Sequence, residues 1–394
     1  MRAAKVSSRD AWQTLFVNGV TVGVAVGLVR NARAGPEVRA RAWPLGVAAP
    51  FVSVVVPMRD EAANAAGCIT GLLAQSYPAF EVIAVDDGST DGTGEILSGP
   101  AASDPRLRVV SGGPLPTGWT GKNWALQQGV SAADPRAEWL LTLDADMRLD
   151  PAALASALAY ALQQGADLLT LLPLLELGSF WEKLLVPHAG ELYSLLVGTM
   201  AQVNDPGGRA AAANGQFMLV RRAAYDGVGG QAAVRGEVAE DWALAGRVKA
   251  AGYRLLMAQG REILRARVYA GFGELWSGFS KTLFPASGRS LGRVALVAAA
   301  LTWYGSLPPL RLGLAAFALA RARNGAARRR LEHSLAQVVP MLALRGVLDH
   351  SLGISPLYGF AYPLAVLLGD GMMLWSAWRY LSGRGMGWKG RNYF

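Results

Sequence analysis

At 394 residues the chain is long enough for one large domain or two ordinary ones, and 52% apolar content with a mean hydropathy of +0.24 is high for a protein that lives wholly in water. Its formal charge of +9 is unevenly divided: residues 1–50 carry 7 basic and 2 acidic side chains, residues 286–394 carry 13 and 3, and residues 51–285 carry 18 and 24. Basic flanks around an acidic middle suit attraction to anionic lipid and argue against a groove for a phosphate backbone, so a nucleic-acid partner is excluded. Cys68 is the only thiol, which excludes an intrachain disulfide and a cysteine-based zinc site and suits a reducing setting.

In residues 1–50 an uncharged apolar run, Trp12 to Val29, lies between Arg2, Lys5, Arg9 and Arg30, Arg33, Arg39, Arg41. That is about the minimum for a helical span. A cleavable signal is the competing reading, since Ala32-Arg33-Ala34 resembles a small-x-small site, but arginines directly after the run oppose export. Residues 1–50 are therefore expected to be a membrane anchor and a basic linker.

Residues 51–285 have the pattern of an α/β domain. Short β-branched runs at Val52–Val56, Glu81–Val85, Arg108–Val110 and Trp139–Leu143 alternate with helical stretches such as Ala152–Leu162, which predicts a mostly parallel sheet with ligands at the carboxyl ends of its strands. Asp104-Pro105, Asp134-Pro135 and Asp150-Pro151 are expected to open helices. Residues 286–394 turn apolar again in pieces: Val294–Leu310 with Pro308-Pro309, Leu312–Ala320, Ser334–Leu344 and Ser351–Trp378. Arginine clusters between the pieces favour paired or re-entrant helices over one kinked span, and hence a multi-pass inner-membrane protein with residues 51–285 in the cytoplasm.

The chemistry concentrates where strands end. Phe51–Glu61 closes on Pro57-Met58-Arg59-Asp60-Glu61, and Glu81–Thr93 runs into Asp86-Asp87-Gly88-Ser89. Turn and cap chemistry explains Ser89, Thr90, Asp91 and Gly92, but it leaves Asp86-Asp87 for a ligand's base or ribose. In Trp139–Asp150, Asp144 and Asp146 project the same way from an extended chain, so with a nucleotide's phosphates they can hold a hard divalent cation. Gly112–Trp124 fails the Walker spacing at Pro116 and Asn123; Lys122 there is either a diphosphate contact or an exposed cation. Glu240-Asp241 opens a helical stretch after Asn214–Arg222, and Asp241 is placed as a general base if that stretch returns to the strand ends. His188, among apolar residues at helical spacing, reads as packed.

The order PMRDE, VDDGSTDGT, DAD, NGQF and Glu240-Asp241 resembles the family 2 glycosyltransferases of the GT-A fold, over roughly residues 51–285. GWTGKNWA with NGQFMLVRRAAY is similar to the branch of carotenoid and hopanoid-associated enzymes, such as the chlorobactene glucosyltransferases, which join such a domain to terminal membrane segments. The resemblance implies an α/β GT-A, Rossmann-like domain flanked by transmembrane helices. It further implies a UDP-linked sugar donor with base and ribose near Pro57, Glu61, Asp87 and Asp144, Mg²⁺ or Mn²⁺ at Asp146 with Asp144, and Asp241 as the catalytic base. Phe272–Lys281 lacks the Gln-x-x-Arg-Trp signature of processive members, which implies transfer of one sugar. The mechanism expected is an inverting displacement onto a lipid hydroxyl, with Lys122 beside the departing diphosphate and Arg221, Arg222 and Glu240 as acceptor-side candidates. Transfer to polyprenyl phosphate or diacylglycerol, and a non-catalytic scaffold or transporter, are the alternatives.

Overall fold

The structure, a computed structural model, describes residues 8–389 and 391–393. Arg2 and Lys5 of the basic flank lie outside the described residues. The chain divides into two compact units, and the division does not follow the 51–285 block. An α/β unit comprises residues 35–177, 197–268 and 385–394, and a helical unit comprises 1–34, 178–196 and 269–384. The apolar helix Phe180–Leu196 belongs with the helices of the flanks because it packs its buried Leu184, Leu185 and Leu192 there.

In the α/β unit, β1 (Val52–Met58), β2 (Phe80–Asp86), β3 (Leu107–Ser111), β4 (Trp139–Leu143), β6 (Leu168–Leu172), β8 (Phe217–Arg221) and β9 (Leu255–Gln259) form one sheet in the order β3-β2-β1-β4-β8-β6-β9. Only β8 runs against its neighbours, pairing antiparallel with β4 and β6. A smaller sheet joins β5 (Met147–Leu149), β7 (Leu174–Leu175) and β10 (Leu264–Ala266). The expected α/β class and mostly parallel sheet are thus present. β1 is buried on both faces, which is why it reads as a continuous Val run instead of an alternating one. Each such buried side chain contributes about 1.5–3 kcal/mol relative to exposure.

Two of the expected helix starts are turns. Asp104 accepts the N–H of Arg106 at 3.0 Å and Asp134 that of Arg136 at 2.8 Å, each two residues on, so these Asp-Pro pairs steer the chain into β3 and β4. Asp150 does lead into a helix, accepting the N–H of Ala152 at 2.9 Å just before Ala153–Gln164.

In the helical unit, Ser8–Ala34 is one helix, and it packs on Gly325–Ser351, with Gln337 donating to Thr14 at 3.0 Å. Residues 291–322 are helical throughout, with a π-helical segment at Thr302–Ser306. The pairing expected of Val294–Leu310 with Leu312–Ala320 is therefore absent, and one continuous helical run stands there. Pro308 and Pro309 sit in the first turn after the π segment, where a missing N–H costs little. His188 is buried and polar-bonded: its Nδ1 lies 2.9 Å from Glu191, which also accepts from Arg345 at 2.8 Å and Tyr362 at 3.1 Å. Among the described residues one segment, Pro356–Leu381, is long and apolar enough to cross a membrane; Ala11–Gly27 is apolar but shorter.

Candidate active site

The carboxyl ends of β1, β2 and β4 and the amino end of the reversed β8 share one edge of the sheet. Pro57 and Glu61 follow from β1, Asp86 and Asp87 from β2, Asp144 and Asp146 from β4, and Gln216 precedes β8. The 88–93 turn is stitched to the loop after β1: the Asp60 N–H donates to Ser89 Oγ at 3.0 Å, Thr90 N–H to Asp60 Oδ1 at 2.8 Å, Glu61 N–H to Thr93 Oγ1 at 2.9 Å and Ala62 N–H to Asp91 Oδ2 at 2.8 Å. These polar residues therefore shape the edge, and Asp86, whose Oδ1 takes the N–H of Ser89 at 2.9 Å, is committed to the same turn. Asp87 is only 2% exposed and faces the other way, with Gly112 packed so closely that a Cβ there would lie 2.9 Å from the Asp87 Cα.

Asp146 carries the clearest signal of an absent partner. Its Oδ2 accepts from Gln216 Nε2 at 3.2 Å, while its Oδ1 is buried with no hydrogen-bond partner. Burial, then repulsion from Asp144 and Glu61, pushes its carboxyl up to about 7, against the pull of Lys122 and Gln216. A buried carboxylate oxygen left bare is costly unless something cationic completes it. Among the described residues no group of three or more His, Cys, Asp or Glu side chains could enclose an ion. A site of one or two carboxylates completed by a ligand's phosphates is how Mg²⁺-type cations are commonly held, so Asp146 and Asp144 fit that role.

Lys122, second residue of the helix Gly121–Ser131, bridges Asp144 Oδ1 at 2.8 Å and Glu240 Oε1 at 3.0 Å. It is neither loop-borne nor exposed. Burial works to lower its pKa, but Asp144, Glu240 and Asp241 outweigh that and hold the ammonium charged well above its ordinary range. Asp241 opens the helix Glu240–Ala250 and receives the Gly215 N–H on Oδ2 at 2.8 Å and the Trp242 N–H on Oδ1 at 2.9 Å. Burial, then the neighbouring Glu240, pushes its carboxyl up to about 7, with Lys122 and those two N–H groups opposing. The edge thus pairs a neutral-range acid on one side of a lysine with an incompletely coordinated carboxylate on the other.

Arg221 and Arg222 do not join this group. Arg221 pairs in register with Trp139, at the start of β4, so it lies a strand's length from Asp144; its guanidinium stacks over Trp139 at 5.0 Å and contacts Asp167 at 3.1 Å. Arg222 pairs with Asp226 at 2.9 Å. Both are corrected from acceptor-side candidates to supports of the far end of the sheet. Residues with no individual signal in the sequence lie at this edge: Gly215 and Gln216, bonded to Asp241 and Asp146, and Asn123, fully buried, whose amide holds the carbonyls of Val234, Arg235 and Glu237 just ahead of Glu240. NGQF names the first two only as part of a pattern.

A mixed sheet presenting carboxylates from separate strands at one edge is the frame of an α/β ligand-binding enzyme. Residues 53–229 match the family described as Glycosyl transferase family 2. Glycosyltransferase AglE of Haloferax volcanii is 31% identical over 101 residues, covering 23% of this chain and 33% of that protein. Beta-monoglucosyldiacylglycerol synthase of Nostoc sp. is 30% identical over 141 residues, covering 35% and 29%. The chain thus spans about a third or less of the length of the curated relatives it matches. Among solved structures, the mannosyltransferase PcManGT from Pyrobaculum calidifontis, in complex with GDP-Man and Mn2+, superposes with a TM-score of 0.48 at 20% identity, covering 86% of this chain and 99% of that one.

Proposed function

We propose that the chain transfers a single sugar from a nucleotide-sugar donor, UDP-glucose in the narrowest form, to a hydroxyl of a membrane lipid with inversion at the anomeric carbon. The observation that carries this is the bare, buried Oδ1 of Asp146 on the same strand edge as Asp241, with Lys122 held between Asp144 and Glu240. Asp144 and Asp146 would hold Mg²⁺ or Mn²⁺, which when bound supplies charge neutralisation to the donor's diphosphate. Asp241 takes the proton as the acceptor's O–H bond breaks; that oxygen forms the new bond to the anomeric carbon, and the old bond to the diphosphate breaks with its electron pair leaving on phosphate. The Gly215 N–H fixes the rotamer of Asp241, and the ammonium of Lys122 faces the negative charge that develops. Glu61 and Asp87 are the carboxylates we assign to the donor's base and ribose.

Membrane attachment rests on the helical unit. Of the large apolar side chains exposed among the described residues, all but Leu45, Val47, Leu162, Leu175 and Val268 belong to it, including Trp12, Leu296, Phe317, Leu357 and Phe360. Water does not favour so many exposed large apolar side chains in one unit, whereas acyl chains do. We read it as a multi-pass unit of the inner membrane with the strand edge on the cytoplasmic side. An isoprenoid such as a carotenoid or hopanoid is the acceptor we favour. Diacylglycerol is the second reading, because the Nostoc relative is named for that acceptor. Thin-layer analysis of the radiolabelled product from UDP-glucose with each lipid decides: label in an isoprenoid spot supports the first, label in glycolipid the second, and no lipid product with any acceptor overturns both.

A further inference from the structure

A hairpin of β11 (Met386–Trp388) and β12 (Arg391–Tyr393) belongs to the α/β unit and brings cations onto the strand edge. The Arg391 guanidinium spans both oxygens of Asp87, Nη1 to Oδ2 and Nη2 to Oδ1, the latter at 3.3 Å. Lys389 Nζ donates to Glu61 Oε1 at 2.6 Å and to the Asp60 carbonyl at 2.9 Å. Arg59 ties hairpin to edge from the other side, its Nε donating to the Lys389 carbonyl at 3.1 Å and its Nη1 to the Asp87 carbonyl. Asp60 and Lys389, one on each side of the contact, both hold left-handed backbones, φ 50° and 46°, which residues with a Cβ keep only where their surroundings impose it.

The consequence is steric as well as electrostatic. Asp87 is the most enclosed carboxylate of the edge, with Gly112 packed against it and the Arg391 guanidinium on its oxygens. Each oxygen of a carboxylate spanned by one guanidinium keeps a further lone pair, but Asp87 is only 2% exposed with Arg391 in place, so a base or ribose reaches those oxygens only if that guanidinium moves aside. We propose that the β11–β12 hairpin is a strap that competes with the nucleotide-sugar donor, Arg391 and Lys389 holding the same Asp87 and Glu61 that a donor's base and ribose engage. This rests on the reading of those two carboxylates as the donor end of the site. Both cations keep about a quarter of their side-chain surface in water, so salt weakens the strap and frees the site.

The test is titration of the purified full chain with UDP and with GDP, the tighter one being carried forward with its uncharged nucleoside. Arg391→Ala is expected to tighten nucleotide binding three-fold or more. The nucleoside's affinity is expected to rise between 50 and 500 mM salt in the unaltered chain and to stay flat in the variant. Hydrogen exchange gives an independent reading: hairpin amides lose protection when nucleotide is added. Binding that is unchanged or weaker in Arg391→Ala, or hairpin amides that gain protection with nucleotide, overturns the strap. If Arg391→Ala does not fold, Lys389→Ala with the exchange measurement decides on the same terms. Asp87→Asn separates the two layers. Nucleotide binding untouched by Asp87→Asn removes the donor-site reading and the strap with it. Binding lost in Asp87→Asn but also weakened in Arg391→Ala removes the strap alone.

Discussion

The backbone N–H of Gly215 donates to Asp241 Oδ2 at 2.8 Å, and a Cβ on Gly215 would stand 3.1 Å from that oxygen and 3.2 Å from Lys122 Nζ. A side chain at 215 therefore cannot be added without moving the proposed base or its lysine. Gly215→Ala is expected to lower kcat at least about tenfold, the scale of a small misplacement of a reacting group, with melting temperature little changed. Full turnover in Gly215→Ala would show that Asp241 does not need its present position.

The pH dependence follows from the direction of the Asp241 shift. A base must be deprotonated, and burial with Glu240 alongside raises Asp241 to about 7, so kcat/KM should climb as pH rises through that region and fall about tenfold per unit below it. Asp146 is raised as well, but a cation bound to it favours its charged form and removes it from this limb. A profile flat from pH 5 to 8 would contradict the assignment of the base.

Asp146→Asn should abolish the divalent-cation requirement together with activity, because the bare Oδ1 is replaced by a weaker ligand or a donor. Chelation of the unaltered enzyme should stop turnover, and Mn²⁺ or Mg²⁺ should restore it; activity undiminished after exhaustive chelation would sink the metal reading.

Arg221→Ala is expected to leave kcat and both KM values unchanged while lowering stability by about 1 kcal/mol, through loss of the Trp139 stack and a half-exposed contact to Asp167. A loss of acceptor affinity in this variant would return Arg221 to the site.

Much of this edge is legible in the chain itself. Asp144 and Asp146 stand out because two acids follow a strand of buried residues, and Asp241 because paired acids open a helix after the NGQF segment. The direction of β8 is not written in its composition: NGQFMLVRR reads as a strand either way, and its reversal alone puts Gln216 beside Asp146 and Arg221 at the far end. Asp104 and Asp134 show the same limit, since an Asp-Pro pair serves a turn into a strand as well as a helix start. Lys389 and Arg391 reach Glu61 and Asp87 across roughly 300 residues of chain, a pairing no local pattern records. Among the flank helices, hydropathy marked the apolar pieces, while the continuity of 291–322 through two prolines depends on a π segment that spacing does not announce.

The most direct measurement is single-turnover transfer from labelled nucleotide sugar to lipid by the purified full chain and by Asp241→Asn, with donor binding followed in parallel. The account predicts donor binding retained and the transfer rate reduced about 10²- to 10⁴-fold in the variant; transfer at the unaltered rate would contradict it.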